Sequence, residues 1–119
     1  MNSDELKIRT KQFALRVMKL VGALPRTVVG RAVGNQLIRC GTSVGANYRA
    51  ACRARSKAEF AAKLGTFAEE ADETCFWLEL IIEGALLPGK RVAALLDEAN
   101  ALTAIFTSAV KTSKLGRNR

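Results

Sequence analysis

At 119 residues, 49% apolar and 25% charged, the chain has the size and composition of one soluble domain with a core of its own. Its formal charge of +8, from 19 Lys and Arg against 11 Asp and Glu, favours an acidic partner, either nucleic acid or an acidic protein surface. No stretch approaches the roughly 20 apolar residues that a membrane span needs, and Met1–Lys11 is too polar for a secretory signal, so a cytoplasmic location is expected by default.

Only Pro25 and Pro88 interrupt a chain rich in alanine, which favours helix throughout. A first helix is predicted over about residues 4–23, where Leu6, Phe13, Val17, Leu20 and Leu24 recur on one face. Ser3 is the expected N-cap, Asp4 and Glu5 suit the positive end of the helix dipole, and Leu24–Pro25 ends the element.

A second helix, over about 28–54, gathers Val29, Val33, Leu37, Cys40, Val44 and Ala51 on one face. Arg31, Arg39, Arg49 and Arg53 fall within an arc of roughly 80° on the opposite side. Gly30, Gly34, Gly41 and Gly45 form a third stripe with Tyr48 in line. A helical glycine costs about 1 kcal/mol relative to alanine, so four on one stripe point to a close helix–helix approach, within the subunit or between subunits.

Ser56-Lys57-Ala58-Glu59 is a capping box that opens a third helix, over 57–83. Phe60, Leu64, Phe67, Ala71, Leu78 and Ile82 make its core stripe, with Ala68 and Cys75 beside it, while Glu69, Asp72, Glu73, Glu79 and Glu83 take much of the remaining surface. Trp77 falls on a flank with Glu59, Glu70 and Glu73, either as an interface anchor or packed on its own bundle. Pro88 can open the first turn of a fourth helix, over 89–112, in which Val92, Leu95, Ala99, Leu102, Phe106 and Val110 repeat at helical spacing. The basic tail, 113–119, is expected to fray. Four amphipathic helices on short connectors predict an all-α, antiparallel up-down-up-down four-helix bundle, with residues 1–119 as a single domain.

Charge is divided along this bundle. Residues 6–58 hold twelve Lys or Arg and no acid, whereas residues 59–98 hold nine acids against Lys63, Lys90 and Arg91. The acids Glu69, Glu70, Asp72 and Glu73 invite comparison with carboxylate-bridged metal bundles, but those sites need Glu-x-x-His, and this chain contains no histidine. Cys40, Cys52 and Cys75 have no CxxC spacing and read as reduced thiols. Gly41-Thr-Ser-Val-Gly45 lacks the Lys-Ser/Thr of a phosphate loop, and neither Ser43 nor Cys52 has an identifiable base. No catalytic residue, metal or cofactor is therefore assigned, and no enzyme is expected.

Two non-catalytic readings follow. In the first, Arg31, Arg39, Arg49 and Arg53, with Lys11, Arg16 and Lys19 of the first helix, meet the phosphates of RNA or DNA. In the second, the basic helices meet the acidic third helix of a neighbouring copy, giving a homo-oligomer or scaffold with no nucleic-acid contact. Its candidate interface residues are Gly34, Gly41, Gly45, Tyr48, Glu70, Glu73 and Trp77. A membrane-surface role is disfavoured, because bundle formation uses up the apolar faces.

The run Cys40-Gly-Thr-Ser-Val-Gly-Ala-Asn-Tyr-Arg49, followed by Arg53-Ala-Arg-Ser56, Glu59-Phe60, Lys63-Leu64, Glu69-Glu-Ala-Asp-Glu73 and Trp77-Leu-Glu-Leu80, resembles a bacterial four-helix-bundle family. Some of its members are encoded in intervening sequences of 23S ribosomal RNA genes. Phe13, Leu24–Pro25 and Gln36–Leu37 also fit, so the resemblance covers nearly the whole chain. It implies an antiparallel bundle, often a homopentamer. A related branch, the accessory proteins of diversity-generating retroelements, forms a basic ring that binds nucleic acid and a nucleic-acid-processing protein, the reverse transcriptase. The chain departs from the pattern at Ala50, where many members carry Glu, and at Cys40, where a serine is expected. The family supplies no catalytic residues to transfer.

Overall fold

Connectors of four or five residues force each helix to double back on the one before it. The computed structural model describes residues 1–117, which form α1 (Ser3–Ala23), α2 (Val28–Ala51), α3 (Lys57–Glu83) and α4 (Gly89–Arg117), with no strand among the described residues. Side-chain pairings give the register. Val17 and Thr10 of α1 lie against Gly41 and Gly45 of α2, Tyr48 of α2 packs on Phe67 of α3, and Phe67 packs on Phe106 of α4. The helices therefore alternate in direction along a body of 50 × 24 × 22 Å, and α1 returns to α4 through the thinnest of the helix–helix contacts.

The core is continuous from end to end. Phe13, Val17, Leu37, Val44, Phe67, Leu78, Ile81, Val92, Leu102 and Phe106 are almost completely removed from solvent, each large side chain contributing roughly 1.5–3 kcal/mol. Tyr48, Phe67 and Phe106 form an aromatic knot near one end, with centroids 4.7–5.8 Å apart and two of the three pairs edge-on. The two buried threonines are satisfied within their own helices: Thr10 donates to the Leu6 carbonyl and Thr74 to the Glu70 carbonyl, both at 2.8 Å.

The glycine stripe is taken up inside the subunit. A β-carbon at Gly34 would meet Leu24 and Val21 at 3.3 Å, one at Gly41 would meet Val17 at 2.8 Å, and one at Gly45 would meet the Thr10 carbonyl oxygen at 3.2 Å. Gly30 differs, since its absent side chain makes room for the Pro25 carbonyl of the connector. Missing side chains thus let α1 lie close along α2.

Several local expectations need correction. The N-cap of α1 is Asn2, whose side chain accepts from the Glu5 N–H at 2.9 Å, so Ser3 falls inside the helix. Helix α2 stops at Ala51 instead of 54, and Cys52 serves as its C-cap. Val29 is 57% exposed and Phe60 is 37% exposed, although both were expected in core stripes. Each sits in the first turn of its helix, level with the place where the antiparallel neighbour is ending, so too little lies opposite to cover it. The α3 stripe ends on Ile81, which is fully buried, and Ile82 only flanks it. The capping box holds in part: Ser56 accepts from the Glu59 N–H at 3.1 Å, while the Glu59 carboxylate accepts from Arg55 N–H, one residue before the cap. Helix α4 continues to Arg117, past the end expected at 112, and Asn118 and Arg119 of the tail expected to fray lie outside the described residues.

Candidate nucleic-acid interface

Because α1 and α2 approach so closely, basic side chains on their outer flanks are brought together across a shallow groove. Lys7 and Lys11 stand one turn apart on α1, with Arg49 in the last turn of α2 and Arg53 in the connector just beyond it. Together with Ile8, Ala14, Thr42, Gly45 and Ala46 they line a groove of about 570 Å³ with no acidic residue in its wall. Arg49 lies in the last turn of α2, where the helix dipole favours a cation. Among the described residues, Lys11, Arg49 and Arg53 make no ion pair, and Lys7 has only a 4.0 Å approach to the exposed Asp4. Four cations, of which only Lys7 lies near an acid, form a strip of positive charge with a small apolar floor.

The other predicted basic residues are distributed differently. Arg16 and Lys19 face the opposite side of α1, where with Arg91, Leu20, Ala94 and Leu95 they line a second depression of about 410 Å³ beside α4. Arg31 is exposed, with its guanidinium near the Arg26 carbonyl at 3.4 Å, and lies 18 residues before Arg49, about 27 Å along the same helix. Arg39 is engaged within the subunit. It reaches across to α3, bonding Glu73 and meeting Glu70 at 3.3 Å. The Arg39 hydrogen bond holds the Glu73 carboxyl below its ordinary range. Arg9 is likewise taken, by a two-point bridge to Glu98 of α4 at 2.7 and 2.8 Å.

The candidate interface residues divide too. Gly34 and Gly41 are buried under α1, Gly45 lies against Thr10 at the groove floor, and Tyr48 is in the aromatic core, so the stripe presents no flat surface to a neighbour. Glu70 and Glu73 are occupied by Arg39, and Trp77 is half-buried with its indole N–H near Glu73 at 3.4 Å. The exposed apolar groups on that face are instead Phe76, at 52% and edge-on to Trp77, and Leu80, at 37%. On α1 the outward row is Ile8, Leu15 and Met18. The sequence-derived candidates leave out Lys7, although it lies off the core stripe with Lys11, and these apolar residues. Their signal was present in the four-residue spacings Lys7–Lys11 and Phe76–Leu80, both off the core stripe.

The thiols of Cys40 and Cys75 are both buried, and burial pushes their ionisation upward, which makes poor nucleophiles of them. No helix of the described residues is long and apolar enough to cross a membrane.

The model of the 23S rRNA-intervening sequence protein family matches residues 5–108. A crystal structure of a protein of unknown function from the S23 ribosomal protein family of Bacteroides thetaiotaomicron VPI-5482 superposes with a TM-score of 0.81 at 31% identity, covering 88% of this chain and 97% of that one. No curated protein matches the chain.

Proposed function

From its place in the 23S rRNA-intervening sequence protein family, to which the chain belongs, and from the charge on α1 and α2, we propose a non-enzymatic, self-associating bundle that binds the backbone of RNA or DNA. The observation that carries this is the groove at Lys7, Lys11, Arg49 and Arg53, four cations with no acidic residue in the groove wall. Lys7 and Lys11, one helical turn or about 6 Å apart, suit successive phosphates of a nucleic-acid strand, and Arg49 and Arg53 extend that row of charge. With no aromatic residue in the groove, recognition rests on backbone charge and shape and little on base identity.

The test is fluorescence anisotropy with a labelled RNA hairpin and with single-stranded RNA and DNA, each over a range of salt. Log affinity should fall linearly with log salt, and R49A/R53A should lower the slope by about two. An unchanged slope would show that these arginines do not meet phosphates.

Self-association is the second part, and a protein–protein scaffold without nucleic acid is the alternative it supports. Phe76 and Leu80 stand exposed on the acidic helix, and Ile8, Leu15 and Met18 on the basic one. An acidic–apolar face and a basic–apolar face on different sides of one chain suit a head-to-tail contact that closes into a ring, five-fold by the family resemblance. The assembly would act in the cytoplasm, alone or with a nucleic-acid-processing protein. Light-scattering mass of the wild type and of F76K/L80K tests it: an oligomer that the substitutions reduce to monomer supports the ring, and a wild-type monomer excludes it.

A further inference from the structure

The end of the bundle where α2 gives way to α3 has a second cavity, separate from the basic groove. It measures about 920 Å³ and is bounded by Ala51, Cys52 and Ala54 at the end of α2, Ala58 and Phe60 at the start of α3, and Ser3 and Ser113 on the two outer helices. Arg55 and Lys57 stand in its wall with no acidic residue among the lining. Tyr48 forms part of the inner wall. Its side chain is 5% exposed, with the ring locked against Phe67 and Phe106. No buried side-chain polar atom among the described residues lacks a partner, and the group beside the Tyr48 hydroxyl is Cys52. Cys52 is the polar group nearest in influence, and burial with that neighbour pushes the phenol well above its usual range, so it is a neutral O–H at any physiological pH. A neutral phenol O–H in the wall is able to donate to an acceptor on a ligand.

We propose that this cavity binds a small organic anion with an apolar body, an aryl or alkyl carboxylate or sulfonate. The apolar body lies between Phe60 and the alanine walls, Arg55 and Lys57 neutralise the charge, and the Tyr48 hydroxyl donates to a ligand oxygen. This division, mostly apolar wall with a few convergent polar groups, is that of small-molecule sites in general. Both cations are needed for the sign of the ligand, and the phenol fixes its depth. Cys52, half-buried in the same wall, is a built-in reporter, because its thiol is reached through the space the ligand would fill.

The probe is 8-anilinonaphthalene-1-sulfonate, titrated into the full-length protein and followed by fluorescence, with iodoacetamide alkylation of Cys52 measured in parallel by mass spectrometry. Saturation at one probe per chain is expected, with Cys52 alkylation slowed at least fivefold at saturation. Neutral N-phenyl-1-naphthylamine should bind at least tenfold more weakly. The surface double variant R55Q/K57Q, which leaves the core intact, should weaken the sulfonate at least tenfold, and Y48F about threefold or more. Saturable fluorescence without protection of Cys52 would place the probe on another apolar surface and overturn the proposal. Equal affinity of the charged and neutral probes, or an R55Q/K57Q variant that binds as the wild type does, would overturn it as well.

Discussion

Gly41 lies so close under Val17 that a β-carbon on it would come within 2.8 Å of both valine methyls, closer than real carbon atoms approach. Gly65 of α3 is the opposite case, a helical glycine with nothing within 4 Å of where its β-carbon would be. Alanine gains about 1 kcal/mol of helix propensity at either site. At Gly65 that gain stands alone, so G65A should stabilise the bundle by about 1 kcal/mol. At Gly41 it is opposed by overpacking of roughly 1–3 kcal/mol, so G41A should be neutral to destabilising by about 2 kcal/mol. Urea midpoints of the two variants decide the matter, and a G41A variant as stable as G65A would show that α1 can shift away without cost.

How far the fold is legible in the sequence follows from that pair. Phe13, Val17 and Leu20 of α1, Leu37, Cys40 and Val44 of α2, and Leu95, Ala99, Leu102 and Phe106 of α4 repeat with the helix period, and the connectors are too short for any arrangement but successive antiparallel neighbours. The glycine stripe announces a close approach but cannot name the partner, because periodicity carries no information about which surface lies opposite. Val29 and Phe60 escape for a related reason: a stripe continues to the end of its own helix, whereas burial stops where the neighbour stops. In the site, Lys11, Arg49 and Arg53 converge as their shared outward faces suggest. Arg39 lies within the same arc but is captured by acids 31 and 34 residues away, a pairing that only the register of α2 on α3 decides.

That capture separates the arginines experimentally. The Arg39 side chain is 48% exposed and paired with Glu70 and Glu73, so R39A should leave stability almost unchanged, as loss of exposed pairs does. Its charge is already balanced, so RNA affinity should change less than twofold, while R49A or R53A weakens binding severalfold at low salt. An R39A effect equal to that of R49A would mean that nucleic acid displaces the two glutamates.

The bridge from Arg9 to Glu98 closes the thinnest seam of the bundle, and it carries a pH signature. The Arg9 hydrogen bonds hold the Glu98 carboxyl below its ordinary range, with burial opposing them. Its folded-state pKa is therefore below its unfolded value of about 4.3. The stabilisation is fully present above that unfolded value and is lost as pH falls through the folded one. With side chains 28% and 18% exposed, solvent screening leaves about 1–2 kcal/mol at neutral pH. E98Q should be less stable than wild type by that amount at pH 7, and the difference should shrink steadily below pH 4. Denaturant midpoints at pH 7 and pH 3 provide the check, and a gap that does not narrow in acid would assign the loss to packing.

The turn from α3 into α4 has its glycine one position early. Gly84 is the C-cap, with φ −82°, while the left-handed conformation falls on Ala85, φ 54°. Around it, Ala85 N–H donates to the Ile82 carbonyl at 3.1 Å and Leu86 N–H to the Ile81 carbonyl at 3.0 Å, the paired bonds that end a helix when its following residue turns left-handed. An alanine there suffers contact between its β-carbon and backbone, costing about 1–2 kcal/mol. Glycine removes that strain but adds freedom to the unfolded chain worth about 0.4–1 kcal/mol. The strain is the larger quantity, so A85G should raise stability by about 0.5–1 kcal/mol and the melting temperature by on the order of 2–4 °C. Removing the β-carbon of an exposed connector residue disturbs no core contact, so calorimetry reads the backbone term with little interference. A fall in melting temperature would mean that the surrounding turn accommodates Ala85 without strain.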